Sequence, residues 1–353
     1  MFQRVAVTSL SLSAGRTTVR LAGRSSGLPL VLVHGNLATS LLYSALMDRL
    51  PADVFAVAID MRGYGDWQGS PIDATAGLHS YAQDLKALLS SLNIPKAHFL
   101  GWSLGGAIVQ TLHMTYPDLV LSTILEAPCP PYGYGGSQGE AGKANYEDFA
   151  GSGAGMISPA FVQSLKSGDL GEENPFSVRS VFNRAVWNKR PAIDLEELYL
   201  REVLKTNLGF EFYPGEVLKS SNWPGFAPGK TGLCNALSPK YLNCSALTAL
   251  PKKAPILWIW GEEDRIVSDR AGGCFGTLGQ KGLIPGYPGK EVFPPQPMIA
   301  QTRHLLNAYA AKGGKYREIA LSGCGHSPHL EQEERFLADL VRHLNSFGPL
   351  SYI

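Results

Sequence analysis

The run Gly101-Trp102-Ser103-Leu104-Gly105-Gly106 carries the sharpest chemical signal in the chain. It follows an apolar stretch, His98-Phe99-Leu100, and opens a helical one over residues 107–116. G-x-S-x-G between a strand and a helix reads as a sharp turn that lifts a nucleophilic serine above a sheet. Small residues at 101 and 105 let strand and helix approach closely, and the helix N-terminus favours developing negative charge. A serine is a weak nucleophile until a base takes its proton and a third group orients that base.

On such a turn the partners follow in the order acid, then histidine, each beyond the C-terminal end of a strand. Ile256–Trp260 in the sequence is followed by Gly261-Glu262-Glu263-Asp264, and Ile319–Leu321 by Ser322-Gly323-Cys324-Gly325-His326. His326 is therefore assigned as general base and Asp264 as its orienter. Glu126, ending the strand after the nucleophile helix, is the alternative acid; its other reading is a strand-end carboxylate bonded to a neighbouring loop. Glu262 and Glu263 suit a solvated loop, and His329 a pocket or capping role. Stabilising an oxyanion takes two preorganised N–H donors. Leu104, after the nucleophile, supplies one. Asn36, in the loop His34-Gly35-Asn36-Leu37 after an apolar run, supplies the other, while His34 reads as a hydrogen-bonding brace of that loop. Asp60-Met61-Arg62-Gly63-Tyr64-Gly65 reads as a tight turn with an Arg/Asp pair bracing loops near the site. Trp102, Tyr132 and Tyr134 are candidate substrate-pocket residues.

Holding these groups requires several strands ending at one edge. Residues 30–33, 54–59, 98–100 and 121–125 are unalternated apolar runs, as in parallel strands buried on both faces. Leu78, Tyr81, Ala82, Leu85, Leu88, Leu89 and Leu92 repeat at helical spacing, and Pro95 stops that helix. A hairpin is expected at the N-terminus, residues 5–13 and 17–22 with a turn at Gly15. Strand patterning lapses from Cys129 to Leu250 and resumes at Pro255; a final strand at 316–321 precedes a helix over 331–347, closed by Gly348-Pro349. The expected class is thus α/β, with a mostly parallel sheet flanked by helices. Residues 1–128 and 251–353 form its core, 129–250 an inserted cap, and 271–297 a loop-rich insertion.

Composition narrows the function. The 353 residues hold 31 Lys+Arg against 30 Asp+Glu, a net charge of +1 that gives no field for a nucleic-acid backbone. With 44% hydrophobic residues a large core is available, yet no apolar run reaches the ~18 residues of a membrane span. The first 47 residues carry no Asp or Glu but several Arg, Ser and Thr, a transit-peptide-like bias that strands explain as well. Without a signal-type apolar segment a cytoplasmic setting is expected. Five cysteines in no C-x-x-C spacing argue against a metal site or a full disulfide framework.

Together, His34-Gly35-Asn36, Asp60-x-Arg62-Gly63-x-Gly65, Gly101-x-Ser103-x-Gly105-Gly106, Gly261-x-x-Asp264 and Gly325-His326 resemble the α/β-hydrolase superfamily over residues 15–130 and 250–347. The His-Gly-Asn piece is similar to haloalkane dehalogenases and related luciferases, but those carry an aspartate nucleophile where this chain has Ser103. The resemblance implies a serine hydrolase acting on an ester or lactone of a small to medium, largely apolar substrate. It implies no metal and no organic cofactor. The same triad also serves amidases, proline-releasing aminopeptidases, carbon–carbon bond hydrolases and acyltransferases. A ligand-binding receptor or a cofactor-free oxygenase can be built on the same scaffold. For a peptidase, Glu172-Glu173 or Glu196-Glu197 would bind the substrate amine; the other reading of both pairs is a solvated face. The walls are sought among Phe149, Phe161, Phe176, Trp187, Tyr213 and Trp223.

Overall fold

The computed structural model describes residues 2–347. Eight strands build the sheet: β1 (Ala6–Leu12), β2 (Gly15–Ala22), β3 (Leu28–Val33), β4 (Val54–Ile59), β5 (Ala97–Trp102), β6 (Val120–Glu126), β7 (Ile256–Gly261) and β8 (Tyr316–Leu321). Their order is β1-β2-β4-β3-β5-β6-β7-β8, with a two-residue strand, Gln68–Gly69, added on β2. From β4 to β8 all neighbours are parallel; β1 and β2 are antiparallel additions at one edge. Every residue of β4 and β5 is buried, His98 included, as in strands covered on both faces.

Alternation still sorts their side chains. Val31, Val33, Val57, Ile59 and Phe99 face one way, against helices α1 (His79–Ser91), α2 (Leu104–Thr115) and, later in the chain, α6 (Met298–Ala311). Leu30, Leu32, Ala56, Ala58 and Leu100 face the other, against Leu42, Leu46 and the final helix α7 (Glu333–Asn345). This is one sheet with a core on each face.

Two local expectations shift. The hairpin turns at Ser13-Ala14, and Gly15 instead opens β2, where a Cβ would stand 2.6 Å from the carbonyl oxygen of Gln68. The closing helix begins only after a separate turn, Pro328–Glu331, and its expected Gly348-Pro349 stop lies outside the described residues.

Between β6 and β7 the chain forms α3 (Pro159–Ser167), α4 (Val178–Ala185) and α5 (Ile193–Val203) with three two-stranded ladders. This stretch packs on both cores: Leu233, Ala236, Leu237 and Cys244 join one, Phe161, Phe182, Trp187 and Leu200 the other. The 271–297 stretch contains one short helix, Phe275–Gln280. No helix among the described residues is long and apolar enough to cross a membrane.

Candidate active site

Ser103 sits between the last residue of β5 and the first of α2 with φ 55° and ψ −114°. That conformation is strained for a residue with a Cβ and survives only where its surroundings fix it. Here they do: Ser103 N–H donates to the carbonyl of Glu126 (2.9 Å), and its own carbonyl accepts from Gly106 and Cys129 (both 2.9 Å). The crossing of β5 and α2 leaves no room for side chains. A Cβ on Gly101 would lie 2.2 Å from the Gly105 carbonyl oxygen, and one on Gly105 2.0 Å from that of Val33.

His326 and Asp264 lie beyond the ends of β8 and β7 and come together. His326 Nδ1 is 2.7 Å from Asp264 Oδ2, and both side chains are buried. The second carboxylate oxygen, Oδ1, accepts the N–H groups of Ile266 (2.7 Å) and Val267 (2.9 Å), so the whole group is oriented. The His326 main chain is fixed too, its N–H on the carbonyl of Val186 (3.0 Å) and its carbonyl on Trp102 Nε1 (2.7 Å). With Nδ1 occupied, Nε2 is the ring atom left for chemistry.

Ser103, His326, Asn36 and Leu104 line one cavity of about 340 Å³. Its other walls are mostly apolar, with Phe161, Phe182 and Val186 from the stretch between β6 and β7. Trp102 and Tyr134 also line it, but Tyr132 does not: its ring packs against Gly142. Of the aromatic residues considered for the walls, Phe161, Phe176 and Tyr213 take part, whereas Phe149, Trp187 and Trp223 lie elsewhere. Burial holds the phenols of Tyr134 and Tyr213 above the usual tyrosine range, so both are neutral hydroxyls, and pushes the Cys234 thiol up to about 12. All five cysteines are buried free thiols.

Asn36 is held by Tyr64, whose hydroxyl donates to Asn36 Oδ1 at 2.5 Å. Leu104 opens α2, so its N–H is among those without an acceptor inside the helix. His34 braces the adjoining loop: Nε2 accepts from Met61 N–H (2.8 Å), leaving Nδ1 to donate to the Gly35 carbonyl (2.8 Å). Burial lowers its pKa, the main influence on a fully buried ring.

The remaining acidic candidates are engaged elsewhere. Glu126 bonds His329, not His326. Glu263 accepts from Gly323 N–H at 2.9 Å. Arg62 pairs bidentately with Asp84 (3.1 and 3.0 Å), while Asp60 accepts from Ser40 N–H and Oγ–H, so the Arg and Asp of that run do not pair with each other. Glu196 is buried against Arg179 and Arg190, and Glu172 bonds Arg190; neither faces the cavity. Sequence reasoning singled out neither Cys129 and Cys234 nor Ile266 and Val267 as cavity residues; no spacing rule marks them, because turns and loops bring them there. Among the described residues no group of three or more metal-ligating side chains occurs.

The sequence profile of the alpha/beta hydrolase family matches residues 30–340, and the chain belongs to that family. Among curated relatives, it is 31% identical over 118 residues to the 2-(acetamidomethylene)succinate hydrolase of Mesorhizobium japonicum, 33% of this chain and 41% of that protein. It is 36% identical over 97 residues to a pimeloyl-[acyl-carrier protein] methyl ester esterase of Neisseria meningitidis, 27% of this chain and 35% of that protein. These matches span well under half of either partner. Solved structures align over nearly the whole chain. A serine hydrolase from Cycloclasticus zankles superposes with a TM-score of 0.62 at 14% identity, covering 98% of this chain and 99% of that one. An esterase from Rhodococcus gives 0.58 at 17% identity, covering 98% and 100%. At such identities they show the fold.

Proposed function

We propose that this chain is a serine hydrolase that cleaves an ester or lactone of a small to medium, largely apolar acid through an acyl-enzyme on Ser103. The observation that carries the reading is the shared cavity: Ser103 and His326 open onto the same apolar space, and His326 is fixed through Nδ1 on buried Asp264. His326 Nε2 takes the proton of Ser103 Oγ as that oxygen bonds to the substrate carbonyl carbon. The N–H groups of Asn36 and Leu104 receive the charge that forms on the carbonyl oxygen. Collapse of the adduct breaks the bond to the leaving oxygen, which takes the proton from His326. Water then repeats the sequence and restores the free serine.

A cavity of about 340 Å³ lies near the lower end of the ~300–1,000 Å³ of small-molecule sites, so short to medium acyl groups fit it best. The stretch from Cys129 to Leu250 acts as the cap that encloses them. The esterase and hydrolase names among the relatives support the same class. A proline-releasing aminopeptidase is disfavoured, because Glu172, Glu196 and Glu197, candidates to bind a substrate amine, are paired with arginines. The test is a steady-state comparison of nitrophenyl acetate, butyrate and octanoate with proline naphthylamide. Continued turnover of the esters, fastest at short to medium length, is expected. Faster cleavage of the anilide would replace the ester reading with a peptidase, and a single stoichiometric burst would replace it with a ligand-binding protein.

A further inference from the structure

Behind the Asp264–His326 pair lies a second carboxylate–imidazole pair that the proposed reaction does not use. Glu126, at the end of β6, and His329, three residues beyond the base, are both fully buried. One oxygen, Glu126 Oε1, accepts the main-chain N–H of His329 at 2.7 Å and stands 2.7 Å from its ring Nδ1. The other oxygen, Oε2, and the ring Nε2 are buried with no partner. Tyr43, Trp102 and Phe336 enclose the ring, with centroids 4.8, 5.1 and 6.2 Å away.

Unpartnered buried polar atoms lower stability, and apolar side chains of similar volume commonly serve a core as well or better. The pair's position gives it a different use. The carbonyl of Glu126 accepts the N–H of Ser103, so the main chain of this one residue secures the nucleophile while its side chain secures the loop that carries the base. Trp102, next to Ser103, meets the His329 ring edge-on and donates to the His326 carbonyl. The base loop is thereby tied to the nucleophile strands at two points, the carbonyl of His326 and the N–H of His329. A carboxylate and an imidazole in one fixed geometry hold that loop at a set height; apolar contacts would let it slide, since they have no direction.

We infer that Glu126 and His329 are positioning residues that set the placement of the His326 ring over Ser103. The inference rests on the Ser103–His326 reading of the site. It also accounts for Glu126 standing near the base without serving as its acid.

Two variants test it. Glu126→Gln keeps shape and an acceptor for the His329 N–H; His329→Gln keeps that main-chain bond and removes the ring bond. Each is followed by the rate of fluorophosphonate labelling against probe concentration, by Tm, and by the downfield proton resonance of His326 Nδ1–H, assigned through its loss in Asp264→Asn. The maximal labelling rate is expected to fall about 10–100-fold, as misplaced reacting groups do. The half-saturating probe concentration should move less than about two-fold. The His326 resonance should shift or broaden in folded protein. A lower Tm with an unchanged maximal rate and an unchanged resonance would assign the pair a purely structural role and overturn the inference. If wild-type protein is not labelled at all, the nucleophile reading fails, and the resonance alone still decides whether the pair positions His326.

Discussion

Trp102 Nε1 donates to the carbonyl oxygen of His326 at 2.7 Å, across 224 residues of sequence. The residue before the candidate nucleophile thus holds the main chain of its candidate base. This direct bond ties the end of one strand to the loop beyond another.

Asp264 holds the His326 ring in one tautomer. If the proposed reading holds, Asp264→Asn lowers kcat for a nitrophenyl ester by about 10³–10⁴-fold, the loss known for serine triads, while KM changes little. Glu262→Gln, on the same loop, should leave kcat within about two-fold. Equal losses in the two variants would mean that the loop's charge matters and its specific contact does not.

The apolar walls should set acyl-chain preference. Phe161 is buried against the cavity, so Phe161→Ala lengthens it by most of a ring. The ratio of kcat/KM for octanoate to acetate should rise, with a loss of about 3–5 kcal/mol in stability from the cavity created. An unchanged ratio would place the acyl group elsewhere.

Asp84 lies on the buried face of α1, and burial raises its pKa; the bidentate bond and charge of Arg62 oppose that rise. Removing Arg62 strands a buried carboxylate. Arg62→Gln should therefore destabilise the fold by about 3–5 kcal/mol, read from urea unfolding. Wild-type stability in that variant would mean the pair contributes nothing net.

Buried histidines should make the fold acid-sensitive, His34 and His113 among them, and a further two far from the cavity form a pair. His98 and His343 share Ser122 Oγ at 2.7 and 2.9 Å. Burial lowers them to about 3 and about 4, with each also disfavoured by a nearby basic group, His343 for the first and Arg317 for the second. Both are neutral in the folded chain, whereas in the unfolded chain they take protons below about 6.5. Stability is therefore full above about pH 6.5 and falls as pH drops from there toward 4 and 3, because the unfolded state binds more protons in that window. Tm should decline steadily over that range, and His343→Gln should flatten the decline. A Tm independent of pH between 7 and 4.5 would contradict the burial of these rings.

Much of this was legible in the sequence because it depends on local pattern. Unbroken apolar strands such as 54–59 need two covered faces, and a Gly-x-Ser-x-Gly between strand and helix has few other ways to fold. The proximity of Asp264 and His326 followed from strand ends meeting at one sheet edge. Choices between neighbours were not legible. Tyr132 and Tyr134 sit two residues apart, but Gly133 and Gly135 both take positive φ, and only the second ring turns to the cavity. Glu196 reads as one of a solvated acidic pair, yet it is buried against Arg179, a partner supplied by another helix. Glu126 and His329 are 203 residues apart, and nothing in either one's local sequence names the other.

The most direct test of the whole account is intact mass after fluorophosphonate treatment of wild type and Ser103→Ala. One adduct on wild type and none on the variant is the expected result. No adduct on wild type, or an adduct that survives the substitution, would contradict Ser103 as the activated nucleophile.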